Sequence, residues 1–387
     1  MRSFRVDFPQ EELDDLRTRL SSTRWPEQAG TAGWDSGVPL PYLRELAASW
    51  RDDFSWRAVE KRVNAFPQFV TTIDGAPIHF LHARSPEPDA VPLLITHGWP
   101  GSFLDFLDVV GPLSDPRSHG GDPSTAFHVV LPSLPGFGFS GPLTEHGWTL
   151  PRVAEAWAQL MSSLGYDGYI AQGGDIGATV ARLLGLQDSD HVLGTHVNFL
   201  FTPPPDDPAA LADLPPSDLA RLERLGVFAD RGSGYMKLLS TRPRSVGFGM
   251  TDSPVGQLAW TAEKFQEWSG ARDLPEEAID RNALLADVTL YWLTRTAISS
   301  AYIYYDNAAG MPTAATPPPP LPPVPGPFGV AVYPHDLAQP IRSLAEREFP
   351  ALVHWSEHDR GGHFAPLEAP DLFVDDLRAF LRAVRAA

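Results

Sequence analysis

The chain has 387 residues, enough for one large domain or for a core that carries an inserted domain. Its 48 acidic against 30 basic residues leave a formal net charge of −18, which argues against nucleic acid and anionic membrane surfaces as partners. It contains no cysteine, so disulfides, cysteine-bound zinc and thiol catalysis are excluded.

The opening stretch "MRSFRVDFPQEELDDLRTRL" has no apolar run of signal-peptide length, and no later stretch approaches the roughly 18 apolar residues of a spanning helix. A cytoplasmic protein is expected. Residues 1–68 fit no strand–helix unit; with Trp25, Trp34, Trp50, Phe54 and Trp56 they read as an arm packed on the core. "FVTTIDGAPIHFLHA" (69–83) predicts a hairpin turning at Asp74-Gly75. "PLLITHG" (92–98) and "FHVVLPS" (127–133) predict short buried strands, and "RVAEAWAQLMSSLG" (152–165) a helix closed by Gly165. "GYIAQG" (168–173) and "VLGTHVNFL" (192–200) predict two more strands.

Prolines then interrupt the pattern. "FTPPPDDPAALADLPPS" (201–217) and "MPTAATPPPPLPPVPGPFG" (311–329) cannot be helix or central strand, and the second should be stiff and extended. They enclose a mostly helical block, expected as a cap inserted over residues 204–311 between core segments 69–203 and 312–387. "FGVAVYP" (328–334) and "ALVHWSE" (351–357) complete the strands, and "PDLFVDDLRAFLRAV" (370–384) closes as an amphipathic helix. Strands alternating with helices imply an α/β fold with a mainly parallel sheet, whose ligand site lies at the carboxyl ends of the strands.

Chemistry-bearing motifs follow predicted strands. "AQGGDIGATV" (171–180) has the small-residue pattern of a nucleophile elbow, with Asp175 where serine is usual. Its small neighbours permit the strained turn that such an elbow needs; the plainer alternative is Asp175 as the cap of the next helix. "HGWPGS" (97–102) offers the Trp99 amide, and the residue after the elbow the Ile176 amide, as a pair of donors for a developing oxyanion. A base should follow the last strand, and "DRGGHFAPLE" places His363 there. The acid orienting it is Asp336 of "AVYPHDL", with Asp206, Asp207, Glu357 and Asp359 as rivals.

The chain resembles the microsomal-type epoxide hydrolases of the α/β-hydrolase fold over nearly its full length. The resemblance rests on "FPQEELDDLRTRLSSTRWP", "HGWPGS", "LPGFGFS", "LGYDGYIAQGGDIG", "GSGYMKLLSTRP", "DSPVGQLAW", "YWLTRTAISSAYIYY", "YPHDL" and "RGGHFAPLE". It implies Asp175 as nucleophile, His363 as base, Asp336 as its charge partner, and two cap tyrosines, Tyr235 and Tyr304, as donors to the epoxide oxygen. Tyr302 and Tyr305 flank the second and leave its register open; without the resemblance both tyrosines read as cap core. Many members carry tryptophan where this chain has Ile176. Some eukaryotic members also carry an N-terminal membrane anchor, whereas this chain begins with the arm and is expected to be soluble.

The carboxylate at the elbow suits this chemistry. An epoxide has no carbonyl, so attack is displacement at carbon, and a carboxylate with an ordinary pKa of about 3.9 needs no base to activate it. The ester it forms does have a carbonyl, which water activated by His363 can attack. A haloalkane dehalogenase and a non-catalytic binding protein on the same fold are the alternatives. No cofactor or metal is expected; the expected partners are a small-molecule epoxide and at most a second copy in a homodimer. Aromatic cap residues with Phe137 and Phe139 suggest a bulky, aryl-bearing epoxide. Bacterial relatives span detoxification and the tailoring of polyketide antibiotics, including enediynes.

Overall fold

The computed structural model describes residues 1–27, 33–143, 145–205, 207–308 and 321–387. Among these, nine strands form one sheet: β1 (Arg2–Phe4), β2 (Gln68–Ile73), β3 (Ala76–Ala83), β4 (Val91–Thr96), β5 (Phe127–Pro132), β6 (Tyr169–Gly173), β7 (Val192–Val197), β8 (Phe328–Val332) and β9 (Leu352–Glu357). Their order is β1-β2-β3-β5-β4-β6-β7-β8-β9. The first three strands run antiparallel to their neighbours, and β4 to β9 are parallel. The hairpin joining β2 and β3 turns at Asp74 (φ 48°) and Gly75 (φ 80°), the two left-handed residues that a tight hairpin demands.

Helices cover both faces, so the central strands read as unbroken apolar runs. Leu93, Leu94 and Ile95 of β4, Val129, Val130 and Leu131 of β5, and Ile170 and Ala171 of β6 are all fully buried. The closing helix, Pro370–Ala386, lays Phe373, Leu377, Phe380 and Leu381 into the core, as its amphipathic spacing predicts.

The arm does more than lie on the core. Its β1 adds an edge strand, Arg2 opposite Val70. Its helices Leu40–Asp52 and Trp56–Val63 follow, and Trp50 Nε1 donates to Thr289 Oγ1 at 2.8 Å. Trp34 Nε1 donates to the Asp273 carbonyl at 2.7 Å. The aromatic residues of the arm thus hold the helical block as well as the sheet. A three-residue edge strand is too short to carry a periodic signal, which is why only an arm was expected.

Helices between Pro208 and Asp306 follow β7 and precede β8. They are tied to the loops beyond the strand ends. The Tyr291 hydroxyl donates to the Gly101 carbonyl at 2.9 Å and Ser299 Oγ to the Gly136 carbonyl at 2.6 Å. Helix Arg281–Thr294 is buried from Leu284 through Leu293, matching its apolar residues on every face. Residues 311–320 of the expected stiff connection, and Asp206, lie outside the described residues. No helix among the described residues is long and apolar enough to cross a membrane.

Candidate active site

Asp175 sits between β6 and helix Ile176–Gln187 with φ 51° and ψ −127°, a left-handed conformation that a non-glycine residue keeps only under constraint. It occupies the capping position, yet its side chain caps nothing; its Oδ1 instead accepts the Trp99 amide at 2.9 Å. The capping alternative is therefore set aside. Close approach explains the small residues: a Cβ on Gly177 would run into the Thr96 carbonyl, and one on Gly98 into the Asp175 side chain.

His363 lies in the loop after β9, its amide donating to the Trp268 carbonyl at 2.9 Å. Its Nδ1 hydrogen-bonds Asp336 Oδ1 at 2.8 Å, and its Nε2 stands 3.5 Å from Asp175 Oδ2. Phe199 and Trp268 bracket the ring edge-on, with centroids at 5.3 and 5.2 Å. Asp336 Oδ1 also accepts the Leu337 amide at 2.7 Å, whereas Oδ2 is buried without a partner among the described residues. The rival acids are otherwise engaged: Asp207 caps helix Pro208–Ala212, Glu357 pairs with Arg221 at 2.6 Å, and Asp359 is exposed.

Charge decides the resting protonation of this group. Burial works against the imidazolium, but Asp336 beside Nδ1 and Asp175 facing Nε2 outweigh it and bring His363 up to about 10. Burial raises Asp336, and the neighbouring imidazole partly offsets that. The raised value favours the protonated ring at neutral pH while Asp175 is charged. Removing the Asp175 charge lowers the imidazole, because a lost anion disfavours the cation. In Asp175→Asn, NMR titration of the His363 ring should show an apparent pKa below that of the wild type; an unchanged value would mean that Asp175 does not hold the proton.

Tyr235, on helix Gly234–Thr241, and Tyr304, on helix Ala297–Asp306, meet beside this group with ring centroids 5.9 Å apart. Trp99 stacks on Tyr235 at 5.2 Å and meets Tyr304 edge-on at 5.7 Å. Burial first, with a contribution from the Asp175 charge, pushes both hydroxyls well above the ordinary tyrosine range, so both carry protons to donate. Tyr302 instead meets Arg244 Nε at 3.0 Å, and Tyr305 is 47% exposed. Lys264, buried and paired with Glu263 and Glu267, lies 5.1 Å from the centre of the Tyr235 ring.

A cavity open at its mouth is lined by His97, Gly98, Trp99, Asp105, Phe106, Asp175, Asn198, His363 and Phe364 among others. Phe137 and Phe139, expected to face the substrate, do not line it. Phe139 packs into an aromatic cluster with Phe4, Phe8, His79 and Phe103. Phe137 is fully buried against His97 and Tyr291. The turn after β5 sends both rings inward, beneath the arm and the cap helices, which a loop sequence does not reveal.

Sequence reasoning also missed a buried acid pair. Asp287 accepts from Ser102 Oγ at 2.5 Å, and burial raises it to about 6. Asp105, which lines the cavity, is raised well above the carboxylate range by burial and by Asp287. Glu368 went unnoticed too; it accepts the Gly270 and Phe364 amides at 2.8 and 3.0 Å and clamps the His363 loop. Neither group has a motif: helical spacing leaves an acid free to be solvated, and only the packing shows that these are enclosed.

A parallel sheet, an elbow after β6, and a histidine–carboxylate pair after β9 and β8 define an α/β hydrolase with a carboxylate at the elbow. Known proteins narrow this further. Residues 1–106 match the family described as epoxide hydrolase N terminus, and residues 91–213 the alpha/beta hydrolase fold. A Stigmatella aurantiaca protein assigned by its name to the epoxide hydrolases is 45% identical, covering 99% of this chain and 85% of that one. Epoxide hydrolase 1 of Sus scrofa is 33% identical over 98% of this chain and 88% of its own length. The Aspergillus niger epoxide hydrolase structure superposes with a TM-score of 0.87 at 34% identity, covering 99% of this chain and 96% of that one. The chain belongs to the epoxide hydrolase family, whose members open the ring through a covalent aspartyl ester.

Proposed function

We propose that Asp175 Oδ2 attacks an epoxide carbon while Tyr235 and Tyr304 donate to the ring oxygen. The observation that carries this is the Asp175 carboxylate itself, which lines the cavity: Oδ1 is held by the Trp99 amide and Oδ2 stands 3.5 Å from His363 Nε2. The carbon–oxygen bond breaks, a phenol gives its proton to the alkoxide, and the carboxylate becomes an ester. With the Asp175 charge gone, His363 gives up its extra proton and restores the phenol. The neutral ring, oriented by Asp336, takes a proton from water as that water attacks the ester carbonyl. The amides of Trp99 and Ile176 hold the oxyanion on Oδ1. Collapse releases the diol, which carries Oδ2 away, and the site returns to carboxylate and imidazolium. Residues 204–311 serve as the cap that supplies both phenols.

The two phenols should be separable by mutation. A lost hydrogen bond to the ring oxygen costs about 1–3 kcal/mol, or roughly 5–150-fold in ring opening. Tyr235→Phe and Tyr304→Phe should each slow ester formation by that factor in stopped-flow measurements, and Tyr302→Phe should not. A crippled Tyr302→Phe with a normal Tyr304→Phe would reassign the second donor.

An aryl-bearing epoxide, as the sequence suggested, suits the aromatic cluster that Trp99, Tyr235, Trp268 and Tyr304 form beside the site. Detoxification and antibiotic tailoring are both compatible with such a substrate. kcat/KM should be higher for styrene oxide than for 1,2-epoxyhexane, and the reverse order would overturn the aryl reading.

A further inference from the structure

We propose that His196, His354 and Asp376 form a zinc site beneath the C-terminal helix. None of these residues lines the cavity that holds Asp175 and His363.

Strand register builds the site. His196 of β7 lies opposite Gly329 of β8, and Gly329 lies opposite His354 of β9. The three positions therefore share one face of the sheet, and the two histidines stand two strand spacings apart, about 10 Å at the backbone. Glycine between them leaves the gap open; a Cβ there would meet the Phe380 ring at 2.5 Å. Both imidazoles reach over Gly329 and bring their ring centroids to 6.2 Å. The helix Pro370–Ala386 then lowers Asp376 between them.

The carboxylate is crowded with donor atoms. His196 Nε2 is 2.7 Å from Asp376 Oδ2, His354 Nε2 is 3.0 Å from Oδ1, and His358 Nε2 is 3.5 Å from Oδ1. Ser356 Oγ also bonds Oδ1. One ligand atom each from His196, His354 and Asp376 lies within 4.8 Å of the others. Zinc bonds of about 2.0–2.2 Å in a tetrahedron put neighbouring ligand atoms about 3.3 Å apart, so small side-chain rotations suffice. Imidazole nitrogens with a carboxylate suit zinc better than calcium or magnesium. His196 and Asp376 are buried, and Phe380 walls one side with its ring 5.2 Å from that of His196. An ion here would tie two strands to the last helix, a stabilising role away from the chemistry.

The test is to strip the full chain with EDTA, dialyse it, and titrate with zinc chloride in a calorimeter. One equivalent should bind and survive dialysis, the thermal midpoint should rise, and cobalt chloride should give the visible absorption of a tetrahedral site. His354→Gln, at a partly exposed position, and Asp376→Asn should abolish binding, while His363→Gln should bind as the wild type does. No retained zinc, or binding lost in His363→Gln and kept in His354→Gln, would overturn the proposal and leave the cluster joined by protons alone.

Discussion

Asp175→Ala is expected to form no diol at all, while retaining the wild-type fold by circular dichroism. The reason is that, among the described residues, the other carboxylates near the site are engaged or protonated. Asp336 is held by His363 and the Leu337 amide, and Asp105 is raised by burial and by Asp287 and so is a poor nucleophile. Isotope labelling checks the covalent route directly. In a single turnover in H₂¹⁸O the first diol should carry little label, because its new oxygen is Oδ2, and label should appear in the peptide containing Asp175. Fully labelled diol from the first turnover would mean that water attacks the epoxide itself.

His363→Gln should stall halfway. Ring opening uses a carboxylate that is already charged and phenols that are already protonated, so the ester should form at a substantial rate. Hydrolysis of that ester needs a base facing it, and the ring whose Nε2 stands 3.5 Å from Asp175 Oδ2 is gone. Intact-mass spectrometry should show the protein heavier by one substrate molecule, with the adduct on the Asp175 peptide. Asp336→Asn should stall at the same point less completely, since it weakens the orientation and charge support of the imidazole without removing it. In the wild type the hydrolytic half-reaction should fall as pH drops, because protonating the ring of the ester form removes its acceptor. A His363→Gln protein that turns over normally, or binds epoxide without gaining mass, would remove His363 from the second step.

Local signals made much of this protein legible in its sequence. Asp74-Gly75 specified a hairpin because few pairs tolerate two left-handed residues. The run "PLLITHG" marked a buried strand because a parallel sheet covered on both faces wants apolar residues at every position. Gly173, Gly174 and Gly177 around Asp175 marked an elbow because close backbone contacts exclude larger side chains there. Strand order pointed to His363 and to an acid among Asp336, Asp206, Asp207, Glu357 and Asp359, since an α/β sheet gathers its strand ends into one cleft.

What the tertiary structure alone decided is which side chains face one another across distant segments. Tyr304 rather than Tyr302 or Tyr305 meets Tyr235, because helix Ala297–Asp306 turns that one face toward the strand ends and leaves Tyr305 exposed. Phe139 packs with Phe4 and Phe8 of the arm, and Phe137 with His97 and Tyr291, so neither lines the cleft. The proton on His363 is likewise a property of the fold. Two carboxylates far apart in the chain bracket one buried imidazole, and the field of that pair, which sequence spacing does not encode, sets its charge.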